Sequence, residues 1–127
     1  MTDNHTQPRF ATTTDAGIVT VRCAGDLDLA TTSRLRDALL SPFGDGGAAA
    51  VVADLTETTF CDSTVFSVLV ESYREALARG IPYAIAAART TVARPLAILG
   101  LDRVLPLHPG LAEARAAVTG SRATRVS

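Results

Sequence analysis

Lysine is absent from this 127-residue chain, and all 12 of its basic residues are arginine. With 13 acidic residues the formal net charge is -1 and the pI is near 6.1. That leaves no surplus of positive charge to neutralise a nucleic-acid backbone or hold an anionic membrane. No apolar run approaches the ~18 residues a membrane span requires. Met1 to Phe10 is polar and lacks the apolar stretch of a secretion signal, so a cytoplasmic protein is expected.

Other absences narrow the chemistry. The two cysteines, Cys23 and Cys61, form no Cys-x-x-Cys or Cys/His cluster, which removes a zinc site and a dithiol redox motif and leaves two reduced, mostly buried thiols. A serine hydrolase needs a histidine base and an oxyanion hole. Only His5 and His108 are available, the first in a tail expected to be disordered and the second expected to cap the last helix, and no Gly-x-Ser-x-Gly elbow occurs. Gly44-Asp45-Gly46-Gly47 is glycine-rich, but no Lys-Ser or Lys-Thr follows, so it reads as a turn and not a phosphate loop. No enzyme, metal or cofactor is expected.

What is present is a regular alternation of strand and helix patterns. Val19, Val21 and Cys23 alternate with Thr20 and Arg22, predicting a strand with one wet face that ends at Gly25-Asp26. A weaker strand near Phe10 to Thr13 precedes it through a tight turn at Asp15-Ala16-Gly17. Thr31 and Thr32 can cap a helix carrying Leu35, Ala38 and Leu39, which stops near Pro42. Ala48 to Leu55 is apolar on both faces, as a central parallel strand is. Val65, Val68, Leu69, Tyr73, Ala76 and Leu77 form one helical stripe, ended by Gly80 and Pro82. A strand is expected over Tyr83 to Ala87, a helix over Thr91 to Leu99 with Pro95 in its first turn, a short strand over Val104 to Leu107, and a last helix from Pro109 through Val118. The expected architecture is one α/β domain over residues 9–118, with a mixed, mostly parallel sheet of four to five strands and about four helices. Disordered tails are expected at 1–8 and 119–127.

The chemistry concentrates in Asp54-Leu55-Thr56-Glu57-Thr58-Thr59-Phe60-Cys61-Asp62-Ser63, which runs from a buried strand into the clearest helix. This stretch resembles the STAS domain of anti-sigma factor antagonists, in which an apolar strand ends in Asp-Leu-Ser/Thr and a Phe-bearing loop leads to Asp-Ser-Ser/Thr-Gly at a helix start. Gly25-Asp26-Leu27-Asp28 is similar to that family's Gly-Glu-Leu-Asp turn, and Leu99-Gly100-Leu101 to its Gly-Leu helix end.

The resemblance implies phosphorylation at Ser63 by an anti-sigma factor that is also a serine kinase. The unphosphorylated protein would bind that partner and free the sigma factor, and the phosphorylated form would let go. Thr64 is the alternative acceptor, and Asp26, Asp28, Asp62, Ser63, Thr64, Val65 and Phe66 make the expected docking surface of a monomer. A serine at a helix start exposes its hydroxyl to a favourable dipole and unpaired amides, so the fold should tolerate a phosphate there. The plainer alternative is that Ser63 only caps the helix.

Val65 stands where the family has glycine, so a partner packed on that position would meet a side chain. This departure favours a second reading, a non-phosphorylated interaction module or a sensor component of a signalling complex. Cys61, near a helix N-terminus, could carry a lowered thiol pKa, although packing is the favoured role. Asp54 is expected to hold the loop by accepting amides or to face a partner, and Arg89, Arg94 and Arg103 to form a solvated rim.

Overall fold

A computed structural model describes residues 7–44 and 47–126. The expectations for residues 1–6, which include His5, and for Asp45 and Gly46 lie outside the described residues. The elements run β1 (Arg9–Asp15), β2 (Ile18–Leu27), α1 (Thr32–Leu40), β3 (Ala50–Leu55), β4 (Thr58–Cys61), α2 (Ser63–Arg79), β5 (Tyr83–Ala87), α3 (Arg94–Ile98), β6 (Leu107–His108) and α4 (Leu111–Val126). Among the described residues the sheet has six strands in the order β1-β2-β3-β5-β6, with β4 also paired to β2. Among the described residues only the β1–β2 pair is antiparallel.

Alternation along the strands divides two cores, because successive side chains point to opposite faces. Val19, Val21, Cys23, Val51, Ala53, Leu55, Tyr83 and Ile85 pack with Leu35 and Leu39 of α1, Val65 and Leu69 of α2, and Leu96 of α3. The other set, Ile18, Ala50, Val52, Ala84 and Ala86, packs with Ala114 and Val118 of α4. Alanine at Ala50, Ala84 and Ala86 lets α4 lie close to the sheet. α2 is further tied to β5 by a buried hydrogen bond between the Ser72 and Tyr83 hydroxyls, 2.5 Å apart.

The structure departs from the sequence reading in several places. First, β2 does not end at Gly25-Asp26. Gly25 takes φ +90, a conformation glycine adopts without strain, the register shifts there, and the strand continues to Leu27 along β4. Second, β4 itself, Thr58–Cys61, was unforeseen and raises the strand count to six. Third, Thr20 is not on a wet face: it is 6% exposed and accepts from Arg115 of α4 at 3.1 Å.

Fourth, the last strand is Leu107–His108, and Val104 is 55% exposed. A tight turn at Leu101–Arg103 delays the strand, and Pro106, which has no amide to give, contributes its carbonyl to Ile85 N at 2.9 Å. His108 therefore lies in the sheet beside Ala86 and does not cap a helix. Fifth, α4 runs to Val126 rather than stopping at Val118. The helix expected from Thr91 begins instead with a π-helical turn at Arg89–Ala93, and Pro95 sits at the start of α3 as predicted.

Candidate functional site

The β3–β4 connection sets the position of everything that follows it. Asp54, 5% exposed, accepts from Thr56 N at 3.0 Å and from Thr56 Oγ1 at 2.7 Å. This side-chain turn lifts the chain out of the β3 ladder, a structural role for Asp54. Gly25 N then reaches Glu57 O at 3.1 Å, and Thr58 Oγ1 donates to Cys23 O at 2.7 Å, seating β4 on the far half of β2. Arg22 and Glu57 pair across the surface beside this seat.

β4 delivers Asp62 to the N-cap of α2, and Ser63 is the first helical residue. Ser63 therefore does not cap the helix, and Asp62 does. The Asp62 carboxylate accepts from Thr64 N at 3.0 Å and from the Thr64 hydroxyl through Oδ1, and from Leu29 N at 3.1 Å through Oδ2. One carboxylate thus binds the helix mouth to the turn after β2. Chiefly through the Thr64 hydroxyl, and also through the Thr64 and Leu29 amides, these bonds hold its pKa below the ordinary carboxylate value and keep it ionised.

The Thr64 hydroxyl also lies 3.0 Å from that of Thr32. Thr32 in turn donates to Asp28 O at 3.0 Å, and Asp28 N donates to Thr31 Oγ1 at 3.0 Å. Asp28 is thus the cap of the short turn Leu29–Thr31. Asp26 is a strand residue opposite Phe60, and its Oδ1 accepts from Thr59 Oγ1 at 2.5 Å. Asp26, Asp28 and Asp62 are each partly exposed on the segments that frame Ser63. Ser63 itself is exposed, and among the described residues no hydrogen bond engages its hydroxyl.

The expected unpaired amides at this mouth are largely taken. Asp62 occupies the Thr64 amide through its side chain and the Val65 amide through its carbonyl, at 3.1 Å. A group added to Ser63 would project outward instead of settling into the helix. Val65 and Phe66 correct the expected docking surface: they are 0% and 6% exposed and belong to the core. The valine at the family's glycine position points inward and places no side chain on the outer face.

In their place stand two apolar residues that the sequence reading did not assign to the surface. Leu29 is 72% exposed and hydrogen-bonded to Asp62 through its amide, and Phe60 is 51% exposed two residues before Asp62. A Phe in the loop before Asp-Ser was the visible signal for one, whereas nothing in the pattern marked Leu29.

Cys61 does not carry a lowered pKa. Burial first, and the Asp62 charge second, push its thiol up to about 12. Cys23 is fully buried and likewise pushed up to about 12, chiefly by burial. Neither is poised as a thiolate. Arg94 and Arg103 are exposed, as a rim should be, while the side chain of Arg89 lies outside the described residues. A cleft of about 560 Å³ opens at the end of β5 and β6, lined by Ala87, Ala93, Ala97 and Leu107 with Arg94 and His108. Ser63 is not part of its lining.

The fold and this corner describe a class: a small mixed α/β module that presents a serine at the mouth of a helix braced by a capping aspartate. The family model described as the STAS domain matches residues 9–114, and the chain belongs to that family. The anti-sigma-F factor antagonist RsfB of Mycobacterium tuberculosis (strain CDC 1551 / Oshkosh) is 27% identical over 109 residues, 86% of this chain and 88% of that protein. The crystal structure of an anti-sigma factor antagonist from Mycobacterium paratuberculosis aligns with a TM-score of 0.82 at 27% identity, over 89% of this chain and 95% of that one. The anti-sigma factor antagonist SpoIIAA in its unphosphorylated form shares the fold, with a TM-score of 0.72 at 19% identity, over 88% and 97% of the two chains. None of the helices among the described residues is long and apolar enough to cross a membrane.

Proposed function

We propose that this chain is an anti-sigma factor antagonist that acts in the cytosol and is switched at Ser63. Unphosphorylated, it occupies an anti-sigma factor of the serine-kinase type and so frees the sigma factor. It is a substrate of that partner and not itself an enzyme. The observation that carries the reading is the exposed Ser63 on a first turn whose neighbouring hydroxyl, Thr64, is already held by Asp62 and lies against that of Thr32. Ser63 is accordingly preferred over Thr64 as the acceptor. The docking surface comprises Asp26, Asp28, Asp62 and Ser63, with Leu29 and Phe60 as apolar anchors in place of Val65 and Phe66.

A phosphate on Ser63 adds about -1.5 to -2 charges beside an ionised Asp62. The α2 dipole favours an anion at that end, so the fold is spared. The docking face is not spared, because bulk and like charge enter it. A loss of roughly 1 to 3 kcal/mol weakens the complex by about 5- to 150-fold, enough to turn bound into free. The alternative of a constitutive, non-phosphorylated module drew its support from side chains at 65 and 66 on the docking face, and both are buried.

The test is calorimetric titration of the cognate kinase-type anti-sigma factor with unmodified, Ser63-phosphorylated and Ser63→Ala protein. Unmodified and Ser63→Ala protein should bind alike and the phosphorylated form about 5- to 150-fold more weakly. Equal affinity of all three would refute the switch.

A further inference from the structure

The two edges of the sheet are built differently. β6 is two residues long and bracketed by Pro106 and Pro109. Shortness and proline are common ways to blunt an edge against pairing with another chain. β1 is seven residues long and holds unbroken register with β2 from Arg9 to Asp15. It has no proline, lysine or bulge, and every residue but Phe10 is exposed. As in any edge strand, one row of its backbone donors and acceptors faces away from the sheet.

We propose that this edge pairs with a second copy of the chain, β1 against β1 in antiparallel order about a two-fold axis at Thr12. The sequence Arg9-Phe10-Ala11-Thr12-Thr13-Thr14-Asp15 is self-complementary in this arrangement. Arg9 of each copy stands opposite Asp15 of the other, Phe10 opposite Thr14, Ala11 opposite Thr13, and Thr12 opposite Thr12. The charged pair is on one face, since residues 9 and 15 share the parity that sets side-chain direction in a strand. That is the α4 face, because Asp15 Oδ2 accepts from Arg115 there at 3.1 Å. The Asp15 side chain remains 79% exposed and can meet a second arginine.

Other arrangements are worse. Parallel pairing in register sets Arg9 beside Arg9 and Asp15 beside Asp15, and antiparallel registers displaced by two residues lose both ion pairs. Opposite charges and threonines facing across strands are favourable, and like charges are not. The contact is isologous, so it closes at two copies and does not propagate into a filament. Two seven-residue strands bury little area, which makes the dimer weak and reversible. The monomer expected from the sequence is then the dilute form. Ser63 lies on α2 and not on β1, so the inference stands whether or not Ser63 is a switch.

Sedimentation velocity of the full chain over about 10 μM to 1 mM tests the pairing. The wild type should shift reversibly from monomer to dimer across that range. Thr12→Lys, which sets two cations together on the axis at an exposed site, should weaken the dimer about tenfold or more. Arg9→Asp and Asp15→Arg should each weaken self-association similarly, yet an equimolar mixture of those two variants should form a heterodimer, because both cross-strand pairs are again of opposite sign. A wild type that remains monomeric at 1 mM overturns the proposal. So does a dimer indifferent to Thr12→Lys, or a variant mixture no more associated than its separate components. Circular dichroism of each variant confirms that the fold is intact.

Discussion

The outer and inner sides of the first turn of α2 differ more than their sequence spacing suggests. Outside are Ser63, exposed and unengaged among the described residues, with Leu29 and Phe60 beside it. Inside, within three residues, are Val65 and Phe66, packed against the sheet at 0% and 6% exposure. Between them Asp62 and Thr64 form the hydrogen-bonded rim that fixes one side relative to the other. A helix mouth built this way can change its surface chemistry without changing its packing. The residues that stabilise the turn are distinct from the one proposed to switch it.

Substitutions can break that separation in order of expected size. Val65→Gly restores the residue usual in the family but removes a buried side chain and places glycine in a helix, so it should cost on the order of 3 kcal/mol in chemical denaturation. If the valine is purely internal, the folded fraction of this variant should bind the partner with wild-type affinity. Tighter binding would show that Val65 does obstruct the outer face.

Asp62→Ala removes the cap and should cost about 1 kcal/mol. Its pH dependence sharpens the comparison. The Asp62 pKa is lowered in the folded state, so its contribution is present above the ordinary aspartate range and is lost as pH falls through the folded value. The stability gap between wild type and Asp62→Ala should therefore close in acid and stay constant near neutrality. Ser63→Ala should do least, changing stability by less than about 0.5 kcal/mol, since it removes an exposed hydroxyl without a bond to lose. A larger effect would mean that Ser63 has a structural duty on the inner side.

Much of the frame was legible because buried strands and amphipathic helices leave strong periodic marks. Residues 48–55, of which Ala50–Leu55 form β3, and Tyr83–Ala87 were visible as continuous apolar runs, and α2 as a stripe closed by Gly80, which is left-handed at φ +66. β4 was not legible. Thr58–Cys61 has no clean alternation, and its existence depends on the Asp54 turn and on the register shift at Gly25, which are tertiary facts.

The site was legible in part for the same reason. The family pattern pointed to Asp62 and Ser63 at the helix mouth, but could not tell which residues of a helical turn face inward. That depends on where the sheet lies, and it reversed the roles of Val65 and Phe66. Leu29 reached the surface because Asp28 caps a short turn instead of ending a loop, a bond between the Asp28 amide and Thr31 that no spacing rule announces.

The most direct test is to incubate the protein with the kinase-type anti-sigma factor of its host and ATP and locate the phosphate by mass spectrometry. The account predicts one phosphate on Ser63, retained in Thr64→Val and absent from Ser63→Ala. Phosphate on Thr64, or a protein left unmodified by a kinase that it binds, would contradict it.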